Sequence, residues 1–241
     1  MSNSEADLNR NVPIACPPIL EARGVGKVFR SGLAPELEIL KGVDLILQPC
    51  ECLLIHGASG SGKTTLLNIM GGLDSATSGR VFWSGQPVDQ WGGRTAASRR
   101  NRHVAFVFQQ YHLLPELNAL ENVLLSRWIR REEDRGKAQW LMERVGLAER
   151  MHHRPFELSG GEQQRVAVAR ALYQEPEVIL ADEPTGNLDA ANSLLVVGLL
   201  KDLAHEQKKA LVMVTHDFTL RSVGDRVMTL SNGRVVSDTV T

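Results

Sequence analysis

The fold is decided by one stretch of the sequence, Gly57-Ala58-Ser59-Gly60-Ser61-Gly62-Lys63-Thr64, which has the pattern Gly-x4-Gly-Lys-Thr. It follows the apolar run Cys52 to Ile55, which predicts a buried strand, and it leads into Thr64 to Met70, which predicts a helix. In this context the glycines let successive backbone N–H groups point at phosphates, and the helix N-terminus adds its positive end. By average residue usage, this pattern should arise by chance in roughly one chain in a hundred of this length. The pattern therefore favours a phosphate loop over the alternative, a glycine-rich turn without a ligand.

This P-loop pattern assigns roles to individual side chains. Lys63 is predicted to reach the β- and γ-phosphates, and the Thr64 hydroxyl is predicted to bind Mg²⁺. Thr65 completes the predicted phosphate-binding set, which runs from residue 57 to residue 65. His56, just before the loop, is explained more simply as a packed or solvent-touching residue at the end of a strand, and we assign it no role.

Composition and charge indicate a globular chain without a membrane span. Apolar residues make up 43% of the sequence, and no uninterrupted apolar run approaches the roughly 18 residues that cross a bilayer. The net charge of −1 gives no global signal for nucleic-acid binding, and we expect no nucleic-acid partner. One local basic cluster is typical of a solvated face: Arg99, Arg100, Arg102 and His103.

The N-terminal residues 1–18 are expected to form a flexible tail, because three prolines there disfavour regular structure. The segment lacks the basic start and apolar stretch of a secretory signal, so we expect the protein in the cytosol. Three cysteines, Cys16, Cys50 and Cys52, suit neither a disulfide framework nor zinc-ligand spacing, which fits a reducing compartment.

Short apolar runs and helix-like stretches alternate over residues 19–241, which predicts an α/β fold with a mainly parallel sheet. The predicted buried strands are Cys52 to Ile55, Val104 to Phe108, Val178 to Ala181 and Leu211 to Val214; alternation at Val43, Leu45 and Leu47 predicts a half-buried strand. The clearest predicted helices are Thr64 to Met70, Val166 to Leu172 and Leu194 to Leu203. The stretch of about 111–172 has helix-like segments without an evident strand, and we interpret it as a helical insert in one domain.

Two carboxylates, Asp182 and Glu183, end the predicted strand Val178 to Ala181. Adjacent side chains on a strand point in opposite directions, so these two can have different tasks. We expect Asp182 to hold Mg²⁺ and Glu183 to orient or deprotonate an attacking water. Alone, this pattern is also typical of a strand end that meets solvent.

A second glycine pair lies in Leu158-Ser159-Gly160-Gly161-Glu162-Gln163-Gln164-Arg165. Ser159 and Glu162 have the spacing of a capping box at a helix start. Two glycines in the first turn weaken a helix, which is explained if a phosphate must approach the backbone. This segment resembles the signature motif of ABC-type ATPases, and the resemblance covers nearly all of the chain beyond the tail.

Four further positions match that family. Gln109 ends a strand where the family has its Q-loop glutamine, Asp189 in Gly186-Asn187-Leu188-Asp189 matches the D-loop, and His216 matches the switch histidine. Phe29 lies where an aromatic ring stacks on adenine. Taken singly, Gln109 could be a surface amide, His216 a capping residue and Phe29 part of the core.

The resemblance implies the ABC ATPase fold, including an N-terminal antiparallel β portion, and a homodimer with two ATP molecules at its interface. Each ATP would be held by residues 57–65 of one copy and by Ser159, Gly160 and Gly161 of the other. Phe29, Gln109 and Asp189 complete the nucleotide-binding residues that the resemblance implies. Mg²⁺ would be held by Thr64, Gln109 and Asp182. Hydrolysis would depend on Glu183, His216, Gln109 and Lys63.

Several stretches resemble the lipoprotein-releasing (LolD) and macrolide-export (MacB) branch of this family, among them Gly71-Gly72-Leu73-Asp74 and His112-Leu113-Leu114-Pro115. His153-Arg154-Pro155 is similar to the lipoprotein-releasing side. The resemblance implies a peripheral subunit at the cytoplasmic face of the inner membrane that drives separate transmembrane permease subunits, docked along residues 109–122. The charged run Arg130 to Arg135 departs from the usual pattern near that contact. The alternative class is a soluble ABC ATPase acting on DNA or ribosomes, and a third is a P-loop kinase.

Overall fold

Two β-sheets and six α-helices form in the part of the chain that the structure, a computed structural model, describes: residues 17–30, 36–90, 93–128 and 130–241. The strands are β1 Leu20–Phe29, β2 Leu37–Leu47, β3 Cys52–His56, β4 Ser78–Trp83, β5 Gln86–Pro87, β6 Val104–Val107, β7 Val178–Asp182, β8 Ala210–Thr215, β9 Arg226–Ser231 and β10 Arg234–Val240. The helices are α1 Lys63–Met70, α2 Gly93–His103, α3 Ala119–Trp128, α4 Arg135–Arg144, α5 Gly160–Tyr173 and α6 Ala190–Glu206.

The larger sheet positions the site. Its strand order is β10-β9-β3-β8-β7-β6, and every neighbouring pair is parallel except β9 with β10. Strands β3, β7 and β8 are almost wholly apolar and buried, as expected of parallel strands that are covered on both faces. Because β3, β6, β7 and β8 run the same way, the P-loop, Gln109, Glu183 and His216 all follow strand ends at one edge of the sheet.

The smaller sheet is antiparallel, with the strand order β2-β1-β4-β5. Val43, Leu45 and Leu47 are buried in β2 while Asp44 and Ile46 between them are exposed, which confirms the half-buried strand predicted there. A hydrophobic core joins this sheet to α1 and one face of the larger sheet. A second core on the other face includes residues of α3, α4, α5 and α6.

The predicted fold class is confirmed: a mainly parallel sheet, an antiparallel N-terminal portion and a helical insert. Between β6 and β7 the described residues contain α3, α4 and α5 and no strand. The sequence did not predict α2 or the individual strands β1, β4, β5, β9 and β10. The bounds 111–172 for a helical subdomain remain a prediction. The flexible tail also remains a prediction, because residues 1–16, which include Cys16, lie outside the described part of the chain.

The basic cluster lies at the C-terminal end of α2 and divides into two pairs. Arg99 and Arg102 are exposed, as a solvated face requires. Arg100 and His103 are half-buried: Arg100 donates to the carbonyl of Gly72 at 3.0 Å, and His103 lies 3.0 Å from a Glu177 carboxylate oxygen. Half of the cluster therefore contributes to packing.

Two cysteines fall within the described residues, and neither is in a disulfide. Cys50 is exposed at a turn with φ of 63°, whereas Cys52 begins β3 and is buried. Burial raises the pKa of the Cys52 thiol to about 12. None of the described helices is both long enough and apolar enough to cross a bilayer.

Candidate active site

The P-loop connects β3 to α1 and has the backbone that the glycine pattern predicts. Gly60 and Gly62 have φ of 78° and 103°, values that favour glycine. At Gly57 a Cβ would lie 2.3 Å from the carbonyl oxygen of Leu230, so no other residue fits without movement. Gly62 precedes α1 and provides no side-chain cap, which leaves the first N–H groups of the helix available to an anion.

Lys63 lies inside the loop rather than in solvent, with its side chain 5% exposed. Its Nζ donates to the carbonyls of Gly57 at 2.8 Å and Ala58 at 3.0 Å. It also lies 3.7 Å from Glu183 Oε1. The ammonium group is thus held where phosphates that enter the loop would meet it.

A cleft of about 600 Å³ opens beside the loop. Its lining residues include Lys63, Thr64, Gln109, Glu183 and His216, which come from four strand ends of the larger sheet. The remaining lining residues are Ile39, Ser59, Gly60, Gly62 and Thr65. The structure therefore brings the P-loop together with Gln109, Glu183 and His216, which were predicted from separate motifs.

Asp182 and Thr64 place two oxygen atoms next to the phosphate loop that could act as metal ligands. Thr64 Oγ1 donates to Asp182 Oδ1 at 2.9 Å. Burial raises the pKa of Asp182, the charge of Glu183 raises it further, and the bond from Thr64 opposes the shift. A hydroxyl and a carboxylate next to a phosphate loop are the ligands that Mg²⁺ prefers, so these residues fit the predicted metal.

Glu183 projects into the cleft from an unusual backbone conformation, with φ of 45°. Its N–H donates to the carbonyl of Val214 at 3.0 Å, which joins the end of β7 to β8. One carboxylate oxygen contacts His216 Nδ1, and the other faces Lys63. Strain of this kind persists where the surroundings impose it and is concentrated at functional sites.

Gln109 is exposed and its backbone is bound by the loop that follows Glu183. Asn187 Nδ2 donates to the carbonyl of Gln109 at 3.0 Å. A Cβ at Gly186 would lie 2.6 Å from Gln109 Nε2, so the glycine makes room for the glutamine side chain. In the sequence, Gly186 and Asn187 were noted only as parts of a motif, and their contacts with Gln109 were not predicted.

The signature residues lie outside the cleft. Ser159 caps α5, and its capping box with Glu162 is complete: Glu162 N–H donates to Ser159 Oγ at 3.3 Å and Ser159 N–H donates to Glu162 Oε2 at 2.8 Å. Ser159 is exposed, and none of residues 159–161 is among the described residues that line the cleft. The geometry of this segment is therefore compatible both with an ordinary capped helix start and with a phosphate-binding signature.

Asp189 caps α6 and links the D-loop to the signature. It accepts from the N–H and the side-chain amide of Asn192 at 3.0 Å and 2.6 Å. A Cβ at Gly161 would lie 3.3 Å from Asn192 Oδ1. Asn192, which sequence reasoning missed, therefore lies between two of the predicted motifs.

Phe29 and His56 are placed at strand ends. Phe29 ends β1, is 45% exposed and lies under Lys27 Nζ, 4.9 Å from the ring centroid; it is not among the described residues that line the cleft. His56 packs edge-to-face against Phe218 at 5.1 Å, and burial lowers its pKa. His56 is therefore a packed strand-end residue, as the sequence indicated.

The model of the ABC transporter family matches residues 40–186 of this chain. The chain is 47% identical over 219 residues to the lipoprotein-releasing system ATP-binding protein LolD of Hahella chejuensis, covering 90% of this chain and 94% of that protein. It is 43% identical over 224 residues to the macrolide export ATP-binding/permease protein MacB 2 of Aeromonas hydrophila, but covers only 34% of that longer protein.

Solved structures agree with these sequence similarities. The dimeric structure of an ATP-binding cassette in a post-hydrolysis state, bound to ADP and Pi, superposes with a TM-score of 0.84 at 37% identity, covering 92% of this chain and 98% of that chain. The dimeric structure of a bacterial ABC transporter cassette gives the same values. The chain belongs to the ABC transporter family, and it is an ABC-type ATPase that binds and hydrolyses ATP.

Proposed function

We propose that this chain is the ATPase subunit of a lipoprotein-releasing transporter, in which two identical copies drive separate transmembrane subunits. The observation that carries the paired arrangement is the separation within one copy: Lys63, Glu183 and His216 line the cleft, whereas Ser159 to Gly161 do not. A second copy placed face to face can supply those residues. The dimeric cassettes that resemble this chain support that arrangement.

Each side chain of the cleft has its own task in this mechanism. Lys63 and the loop N–H groups bind the β- and γ-phosphates. Mg²⁺ held by Thr64, Asp182 and Gln109 would neutralise phosphate charge. Glu183 takes a proton from a water molecule while the water oxygen attacks the γ-phosphorus. The bond between that phosphorus and the bridging oxygen of ADP breaks, and ADP leaves.

The remaining side chains position the reacting groups. His216, in contact with Glu183, orients the carboxylate and faces the γ-phosphate. Gln109, which lines the cleft at another strand end, would contact the same phosphate and help to hold the metal. Phe29 and Asp189 would contact the nucleotide at the edges of the cleft. Loss of the γ-phosphate removes the charge that bridges the two copies, so hydrolysis lets them separate.

The lipoprotein-releasing assignment is supported by sequence similarity. Curated LolD proteins from several bacteria are 44–47% identical over about nine tenths of this chain. By analogy with a subunit of such a system, the chain acts at the cytoplasmic face of the inner membrane by binding a permease. We infer no role in binding nucleic acid.

A surface for that permease lies next to Gln109. Leu114 is 43% exposed and Pro115 is exposed, whereas Leu113 packs against the core and Leu117 is half-buried. Asn122 is fully buried and its side chain binds both the N–H and the carbonyl of Leu114. The loop is therefore rigid and presents Leu114 outward, which makes Leu114 a sharper test of docking than Leu117.

Exchange of Leu114 for arginine is expected to prevent binding of the transmembrane subunits while the chain still folds and binds ATP. The matched control is Ile46→Arg, at a residue of similar exposure, 45%, on the smaller sheet. Co-purification after co-expression with the lipoprotein-releasing permease of the source organism measures the effect. Equal permease binding by both variants would rule out this loop as the docking surface.

Mixing two inactive variants tests the shared site. Lys63→Ala damages the P-loop. Ser159→Arg blocks the signature at an exposed position, and it also removes the side-chain cap of α5. Gly160→Asp is a poorer choice because a Cβ there would lie 2.8 Å from Tyr111 Oη of the same copy. In a mixed dimer one site has an intact P-loop and an intact signature.

ATP turnover absent from either variant should therefore return on mixing. Thermal unfolding of each separate variant serves as the control for folding. If hydrolysis requires that both sites are intact, ATP turnover stays low, but mixed dimers still form in the presence of ATP. Full turnover by Ser159→Arg alone would exclude a role for the signature.

A further inference from the structure

The segment that follows Gln109 is bound by an arginine from the second half of α5. Arg170 Nη1 donates to the carbonyl of His112 at 2.6 Å, and Nη2 donates to the carbonyl of Tyr111 at 2.7 Å. The planar guanidinium thus serves two successive carbonyls, which a lysine ammonium cannot do with the same geometry. Burial lowers the pKa of the Arg170 guanidinium, so the charge occupies a costly position.

The same segment also touches the start of α5. A Cβ added at Gly160 would lie 2.8 Å from Tyr111 Oη, so the tyrosine hydroxyl packs directly against the signature backbone. Gly160 and Arg170 are ten residues apart on one helix, or about 15 Å along its axis. Tyr111 is therefore fixed to α5 through its carbonyl and approaches the signature through its ring.

On its other side the segment is tied to the catalytic loop. Asn187, four residues after Glu183, donates to the carbonyl of Gln109 at 3.0 Å. Residues 109–112 therefore lie between the loop that carries Glu183 and the helix that carries the signature. His112 has φ of 48°, a conformation that the two bonds from Arg170 help to hold.

We propose that Arg170 is a positioning residue that, with Tyr111, fixes the Gln109 segment to the signature helix of the same copy. Contact of Gln109 with the γ-phosphate in its own cleft then orients Ser159 to Gly161 for the ATP of the other copy. Arg170 touches no nucleotide and acts through backbone carbonyls. This inference rests on the proposed paired function.

The test compares Arg170→Ala, Arg170→Lys and Tyr111→Phe in a Glu183→Gln parent, in which ATP is bound but not consumed. Dimer dissociation constants in ATP are measured by sedimentation, and the affinity of the single copy is measured with a fluorescent ATP analogue. Because hydrogen bonds from a charged group are stronger than neutral ones, Arg170→Ala should weaken the dimer at least about tenfold. Arg170→Lys should give an intermediate loss, and Tyr111→Phe a smaller one.

Nucleotide affinity of the single copy should stay within about twofold, because residues 111 and 112 are not among the described residues lining the cleft. The matched control is Arg127→Ala, which removes a partly buried arginine of α3 paired with Glu175 at 2.9 Å. That variant should lower thermal stability and leave dimerisation unchanged. With Glu183 intact, Arg170→Ala should lower kcat more than it raises KM.

A purely structural arginine would behave like the control. Dimer affinity and kcat of Arg170→Ala within twofold of the parent would overturn the inference, whatever the loss of thermal stability. If Arg170→Ala does not fold, the same comparison is decided by Arg170→Lys. Additive losses from Gln109→Ala and Arg170→Ala would also contradict it, since residues acting in one chain should not add. If the parent itself does not dimerise with ATP, both this inference and the proposed function are wrong.

Discussion

Glu183→Gln should lower kcat by about 10²–10⁴-fold, the usual contribution of a general base, while ATP still binds. The amide keeps the size of the carboxylate at a position whose strained backbone and bond to Val214 do not depend on its charge. It cannot accept the proton of the attacking water. Because the γ-phosphate then stays in place, the variant should also accumulate as an ATP-bound dimer.

Single-turnover hydrolysis and size-exclusion chromatography in ATP measure these two effects. The matched control is Glu177→Gln, near the opposite end of β7, where the carboxylate accepts from Ser84 and contacts His103. That change should leave kcat nearly unaltered. Hydrolysis by Glu183→Gln at close to the normal rate would remove Glu183 from its role as the base.

Lys63→Ala should abolish turnover for a different reason, the loss of nucleotide binding. Removal of the ammonium takes a charge away from the phosphates and leaves the carbonyls of Gly57 and Ala58 without their donor. At about 1.5–3 kcal/mol for each charged hydrogen bond, ATP affinity should fall by about 10–100-fold.

Fluorescent-nucleotide titration measures that affinity directly. Lys201→Ala is the control. Lys201 lies on α6, outside the phosphate loop, and also donates to a backbone carbonyl, that of Val223 at 2.6 Å. It should lower stability without changing ATP affinity. Unchanged affinity in Lys63→Ala would contradict the predicted contact between Lys63 and the phosphates.

The predictable part of the fold followed from local patterns. The apolar run Cys52 to Ile55 and the glycine loop after it have a spacing that few structures satisfy, and both lie where the sequence placed them. Helix α2 was missed because its residues are mostly polar and show no apolar face. Strand β10 was missed because six of its seven residues are exposed or nearly so, which removes the apolar signal.

The candidate site divides in the same way. Glu183 was predicted from the carboxylate pair at a strand end, whereas Gln109 and His216 were predicted only through the resemblance to the ABC family. The roles of all three still depend on the experiments above. Arg170 and Asn192 could not be predicted, because their partners lie in other parts of the chain or depend on the packing of α5 against α6. Sequence spacing gives no information on such tertiary contacts.

The two described cysteines differ in a way that gives the chain a built-in attachment point for spectroscopic labels. A maleimide reacts with thiolate, so the Cys52 thiol, with a pKa of about 12, should stay unmodified near neutral pH, whereas the exposed Cys50 is open to the reagent. Cys50 precedes the amino end of β3, and five strand residues, about 16 Å, separate that end from the phosphate loop. With Cys16 replaced by serine, a dye at Cys50 can report the association of two copies without entering the cleft.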